Sequence, residues 1–228
     1  MNRYAAIILA AGSGSRLNLG YNKIFYELND IPIVVLAAHH FFHDTNCKQL
    51  IFVGRDDELA TLKKIIQTYN LHDKRCVYVG GGSERQYSVN HGLHHVQEEV
   101  VLIHDGARPF LTPSLISSLY EEAKVTGAAV PGYPVKDTIK VVKDFEIKYT
   151  IDRSKLYQVQ TPQAIRTKLI KKAHEYATKD ELLFTDDVSL IEHYQLSPVK
   201  IVESSPENIK ITTPFDLKIA HILYSNYF

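Results

Sequence analysis

A mostly parallel, doubly wound α/β sheet is the fold this sequence predicts, on three observations. Short apolar runs alternate with amphipathic stretches, helix starts are marked by a capping residue followed by proline, and no internal repeat or low-complexity linker divides the 228 residues. A chain of this length, 45% hydrophobic and 23% charged, buries one well-formed core, so residues 1–228 are expected to form a single domain with at most a small appendage.

The first strand is expected over residues 5–10. The apolar start behind Arg3 resembles a secretory core, but it is short and runs into Gly12-Ser13-Gly14 without helical continuation. Further apolar runs at 49–53, 77–79, 100–103 and 128–130 read as buried strands separated by helical patterns. Thr112-Pro113 and Thr213-Pro214 each place a capping side chain before a proline at the first helical position. Ser83-Glu84-Arg85-Gln86 and Thr213-Pro214-Phe215-Asp216 carry capping-box spacing. One segment breaks the rhythm: apolar residues at Val135, Ile139, Val141, Ile147, Tyr149 and Ile151 flank a turn expected at Lys143-Asp144. Residues 133–153 therefore read as a two-stranded β-arm. An isolated hairpin is marginal in water, so the arm is expected to pack, either on a second copy of the chain or on its own sheet.

Charge and cysteine usage exclude several classes. Lys+Arg and Asp+Glu are balanced at 26 each, so no overall field draws the chain to nucleic acid or to an anionic membrane, and an anionic ligand needs a local cluster. No apolar run approaches the roughly 20 residues of a membrane helix. Cys47 and Cys76 lie far apart with no CxxC spacing, which suits a reducing cytoplasm and small core hydrophobes. The fourteen tyrosines are scattered and suggest no base-stacking surface.

Three segments carry chemistry. After the first strand, Leu9-Ala10-Ala11-Gly12-Ser13-Gly14-Ser15-Arg16-Leu17, with Lys23 shortly beyond, offers small residues whose amides can approach phosphate and two cations to neutralise it. It fits neither the dinucleotide fingerprint nor the P-loop. Gly80-Gly81-Gly82-Ser83-Glu84-Arg85-Gln86-Tyr87-Ser88 runs from a strand through glycines into a helix, where a doubly wound sheet places its ligand crevice. Ile103-His104-Asp105-Gly106-Ala107-Arg108-Pro109 puts a carboxylate at another strand end, suited to Mg²⁺ held by one carboxylate together with phosphates and water. The histidines His91, His94, His95, His39, His40 and His43 read as solvated helix faces, and Thr185 ahead of Asp186-Asp187 reads as a helix cap.

Together with Val135-Lys136-Asp137-Thr138-Ile139-Lys140, Ile151-Asp152-Arg153-Ser154, Gln160-Thr161-Pro162-Gln163, Thr185-Asp186-Asp187 and Asn208-Ile209-Lys210-Ile211-Thr212-Thr213-Pro214, these segments resemble the 2-C-methyl-D-erythritol 4-phosphate cytidylyltransferase family over nearly the whole chain. The resemblance implies a Rossmann-like nucleotidyltransferase fold. It also implies a homodimer clasped by the β-arm, and transfer of CMP from CTP to a polyol phosphate with Mg²⁺ or another divalent cation. By the same resemblance Ala10, Ala11, Gly12, Gly82 and Ser88 form the nucleotide pocket and Asp105 holds the metal. Arg16, Lys23 and Lys210 surround the phosphates, and Thr138, Arg153 and Thr161, with Arg108 nearby, hold the methylerythritol phosphate. The sequence departs from the family pattern at Asn22, where proline is usual, and at Gly106, where alanine is common; both changes are expected to loosen the backbone. Ribitol 5-phosphate cytidylyltransferase shares the nucleotide motifs and is the runner-up. A non-catalytic CTP-binding module is the alternative of a different class.

Overall fold

A computed structural model describes residues 3–12, 17 and 20–228. The chain opens with β1 (Tyr4–Leu9), which becomes the middle of the sheet. A small ribbon of β2 (Glu27–Leu28) and β3 (Ile31–Pro32) leads into α1 (Ile33–His43). Two strand-and-helix units follow: β4 (Cys47–Gly54) with α2 (Leu59–Thr68), then β5 (Cys76–Gly80) with α3 (Arg85–Leu93). β6 (Val100–Asp105) returns to the other side of β1, so β5, β4, β1 and β6 are adjacent and parallel.

The apolar runs are continuous because successive side chains of a strand point to opposite faces, and here both faces are covered. Ala6 and Ile8 of β1 pack towards α1, α2 and α4 (Pro113–Thr126), while Ala5 and Ile7 pack towards α3, α5 (Thr167–Lys179) and α6 (Asp187–His193). This is the doubly wound arrangement the sequence predicts. Thr112 caps α4 as expected, and Thr213 with Asp216 forms the capping box of α7 (Pro214–Tyr227).

The far half of the sheet is mixed. β7 (Ala128–Pro134) runs parallel to β6 but does not touch it; the antiparallel β11 (Gln163–Arg166) lies between them. β10 (Tyr157–Val159) continues the same side of β7, and β12 (Val199–Glu203) pairs in parallel on its outer side. The sequence does not predict β10, β11 and β12, which are short and carry polar Gln158, Gln163 and Lys200.

The arm is a separate two-stranded sheet, β8 (Lys140–Lys143) and β9 (Glu146–Thr150). Its turn falls one residue later than expected, at Asp144-Phe145, where both residues adopt the left-handed conformation (φ 52° and 62°) that a tight two-residue hairpin requires. The arm is not covered by its own sheet: Val142, Ile147 and Tyr149 are exposed and Phe145 fully so. Two capping expectations are corrected. α3 starts after Glu84 with no side-chain cap, and Asp186 rather than Thr185 caps α6 by accepting from the Ser189 amide at 3.0 Å. Among the described residues no helix is long and apolar enough to cross a membrane.

Candidate active site

Parallel strands end at one edge of the sheet, and the chain's small and charged residues meet there. A crevice of about 390 Å³ is lined by Ala11 and Gly12 beyond β1, Gly82 and Ser88 at the β5–α3 junction, Asp105 ending β6, and Lys23 and Lys210. Ala10 lies buried beneath, its amide donating to the Val53 carbonyl at 2.7 Å. The Ser88 hydroxyl accepts from the Gly82 amide at 3.0 Å and donates to the Glu84 carbonyl at 3.1 Å, folding the glycine loop onto the first turn of α3. Any side chain at Gly82 would run into the Tyr87 Cβ, so that loop must be glycine to lie this close to the helix.

Asp105 is the electrostatic centre. Lys210 Nζ lies 2.9 Å and Arg108 Nε 3.5 Å from Oδ2, and Arg85 Nε lies 3.7 Å from Oδ1. Burial pushes the Asp105 carboxyl up, but Lys210, Arg85 and Arg108 outweigh it and hold the group well below the usual carboxylate range. Arg85 is itself anchored, its two Nη atoms donating to Oδ1 and Oδ2 of buried Asp187 at 3.0 and 2.7 Å. Burial works against the Arg85 charge, and the Asp187 pair more than restores it. Gln163 Oε1 accepts from the amides of Asp187 and Val188 at 2.9 and 3.0 Å, so the first residue of β11 fixes the carboxylate that fixes Arg85.

Thr161 occupies a different place from the one expected. It is buried, its hydroxyl oxygen accepts from the Asp105 amide at 3.0 Å, and it lies 3.0 Å from His104 Nδ1. His104 Nε2 lies 3.0 Å from the Arg108 carbonyl, which can only accept; Nε2 therefore carries the ring hydrogen, and Thr161 donates to Nδ1. Burial pushes His104 down to about 4, which keeps it neutral. The Thr161 hydroxyl thus has no donor left for a ligand and serves to hold Asp105. A second brace sets Lys210: the Asn208 carbonyl accepts from Arg108 Nη1 at 2.7 Å and Gln160 Nε2 at 3.2 Å, and Asn208 Nδ2 donates to the Thr161 carbonyl at 2.9 Å.

Of the residues singled out in the sequence, Ala11, Gly12, Lys23, Gly82, Ser88, Asp105 and Lys210 therefore share one crevice, with Ala10, Arg108 and Thr161 adjoining. Thr138 and Arg153 do not: both are exposed by the arm, and Arg153 Nη1 donates to the Lys136 carbonyl at 2.6 Å. Arg16 lies outside the described residues. Asn22 and Gly106 do not loosen the backbone as expected. Asn22 makes side-chain bonds at both ends of its loop, and a Cβ at Gly106 would come 2.8 Å from the Leu9 carbonyl oxygen. Sequence reasoning missed Arg85 with Asp187 and Gln163. Arg85 stood inside a quoted motif, but nothing in the sequence joins it to a partner 102 residues away. Among the described residues no three His, Cys, Asp or Glu side chains are grouped to hold an ion.

A crevice with close-approaching backbone on one side and, on the other, Lys23 together with Arg85 and Lys210 around a carboxylate suits a nucleoside and its phosphates respectively, and on this fold the class is nucleotidyltransferase. The family model described as IspD, 2-C-methyl-D-erythritol 4-phosphate cytidylyltransferase, matches residues 4–226. The enzyme of that name from Geobacillus thermodenitrificans is 44% identical over 224 residues, covering 98% of this chain and 97% of the relative. That from Shouchella clausii is 43% identical over 221 residues, 96% of each chain. The solved 4-diphosphocytidyl-2C-methyl-D-erythritol synthase of Anaerococcus prevotii superposes with a TM-score of 0.87 at 31% identity, covering 98% of this chain and 96% of that one. The Thermus thermophilus cytidylyltransferase superposes with a TM-score of 0.79 at 28% identity, covering 96% and 98%. The chain belongs to the 2-C-methyl-D-erythritol 4-phosphate cytidylyltransferase family. The ribitol 5-phosphate and CTP-binding alternatives are not favoured.

Proposed function

We propose that the family's reaction, transfer of CMP from CTP to 2-C-methyl-D-erythritol 4-phosphate with release of pyrophosphate in isoprenoid precursor synthesis, proceeds here by direct in-line attack at the crevice around Asp105. The observation that carries this is the cluster of Lys210, Arg85 and Arg108 on one buried carboxylate beside a glycine-lined pocket. The incoming phosphate is already an anion near neutral pH, so no general base and no covalent intermediate are needed. The task is to bring two anions together and to stabilise the charge that grows on the equatorial oxygens of the α-phosphorus.

Ala10, Ala11, Gly12, Gly82 and Ser88 hold the cytidine, while Lys23 and Lys210 face the phosphates and Arg16 is assigned to them by the family resemblance alone. Thr161 acts indirectly, holding Asp105 through its amide. The donor set fits a divalent cation: among the described residues Asp105 Oδ1 has no charged partner closer than Arg85 Nε at 3.7 Å, and a single carboxylate suits an Mg²⁺ bound mainly by phosphate oxygens and water. When bound, the cation neutralises phosphate charge. The free thiols of Cys47 and Cys76 suit a cytoplasmic protein.

Thr138 and Arg153 lie off the crevice of their own chain, and the arm beside them exposes Phe145, Ile147 and Tyr149. Both observations support a homodimer in which each arm carries Thr138 and Arg153 to the partner's methylerythritol phosphate. Mixing inactive Arg153→Ala protein with inactive Lys23→Ala protein tests this. Random reassortment gives about half mixed dimers, each with one doubly defective and one intact pocket, so activity should recover to roughly a quarter of wild type per subunit. No recovery, with subunit exchange verified by mass spectrometry, sinks the shared pocket.

A further inference from the structure

Asn22 is 2% exposed, and every polar atom of its side chain is used. Its Nδ2 donates to the Ala10 carbonyl at 3.0 Å and to Glu58 Oε2 at 2.8 Å, and its Oδ1 accepts from the Ile24 amide at 3.3 Å, capping the 3₁₀ turn Lys23–Phe25. Asn22, 12 residues beyond Ala10, thus ties the end of β1, where the nucleotide segment begins, to the turn that carries Lys23. Glu58 anchors the arrangement from outside, on the stretch between β4 and α2, with its side chain 19% exposed and Arg55 Nε 4.0 Å away. Closing a loop at its two ends removes most of the freedom of what lies at its exit, and a buried bond to a charged acceptor is the stronger kind.

We infer that Asn22, held by Glu58, is a positioning residue for the transfer reaction: it sets the Lys23 ammonium at the place where charge develops on the phosphate. Asn22 touches no reacting atom in this scheme and acts only through Lys23. The inference rests on the assignment of Lys23 to the phosphates, and the test separates the two. Misplacing a preorganised cation weakens the transition state more than the ground state. Asn22→Ala should therefore lower kcat about tenfold while KM for CTP changes less than about twofold.

Three further variants sharpen the outcome. On a Lys23→Ala background Asn22→Ala should cost less than about twofold more, because there is no ammonium left to place. Asn22→Asp sets two carboxylates against each other and should lose at least as much kcat as Asn22→Ala. Asn22→Asp combined with Glu58→Gln reverses the hydrogen bond and should recover severalfold over Asn22→Asp alone. Thermal unfolding of each variant is followed alongside. If Lys23→Ala turns over normally, the assignment of Lys23 itself fails. If Lys23→Ala collapses kcat while Asn22→Ala matches wild type, or if Asn22→Ala costs the same factor with and without Lys23, the positioning role is overturned.

Discussion

The crevice edge and the arm are built on opposite terms. At the edge, Asp105, Thr161, Gln163, Asp187 and Asn208 are all buried and knit into one polar network. In the arm, apolar Val142, Phe145, Ile147 and Tyr149 face water, and the bonds are those of one hairpin ladder with exposed pairs such as Lys140 Nζ to Thr150 Oγ1 at 2.6 Å. The contrast separates two demands. Charges that meet a transition state must be held still before the ligand arrives, and a buried, densely cross-linked polar network does that. A surface that meets another protein must keep its apolar groups uncovered until it does.

Four measurements test whether the two regions differ in this way. The largest effect belongs to the edge: Lys23→Ala and Lys210→Ala should each lower kcat by roughly 10²–10³, with a smaller change in KM for CTP, in a pyrophosphate-release assay. Normal turnover with weak CTP binding would show that these lysines hold the ground state. Next, Asp187→Ala strands the Arg85 guanidinium and should cost about 3 kcal/mol of unfolding free energy in a denaturant titration; a loss under about 1 kcal/mol would show that the pair does not organise the edge.

Smaller again is a pH effect under the sheet. Burial pushes His174 down to about 4, and among the described residues its Nε2 has no hydrogen-bond partner. The unfolded chain takes up a proton that the folded one refuses, so this stability is present above about pH 6.5 and is lost as pH falls from there towards the folded value. His174→Leu should shrink the stability difference between pH 7.5 and pH 5 by roughly 2 kcal/mol, measured by urea unfolding at both. An unchanged difference would exclude His174 as a source. The smallest effect on the fold belongs to the arm: Phe145→Ser with Ile147→Ser should change unfolding free energy at fixed subunit state by less than about 0.5 kcal/mol, yet weaken the proposed dimer and shift its sedimentation towards monomer. A large loss of monomer stability would mean the arm belongs to the core after all.

What was legible in the sequence follows from range. The strands of the parallel half are continuous apolar runs, and Thr112-Pro113 and Thr213-Pro214 fix the starts of α4 and α7, so these could be read locally. β11 could not: it is four residues long, begins with Gln163 and ends with Arg166, and it is a strand only because β6 and β7 leave it a place. The glycine loop and Asp105 were legible as strand ends. Arg85 was not, because its meaning lies in Asp187. Thr161 was found for its place in a motif and given a ligand to hold, when its hydroxyl turns inward to His104 and the Asp105 amide. Asn22 misled for a related reason, since losing a proline removes a constraint on φ but adds an amide that this fold uses at both faces.

The reversal of β11 has a topological consequence. Because β11 runs against both neighbours, β6 and β7 point the same way, and β7 with β10 overshoots the edge where Asp105 sits, reaching Pro134 opposite Tyr157. The hairpin is spliced into that overshoot, as an outgrowth of the ligand side of the sheet. Residues can be added or removed between Pro134 and Tyr157 without shifting the register of any strand beneath, so the reach of the arm and the integrity of the sheet are free to evolve as separate quantities.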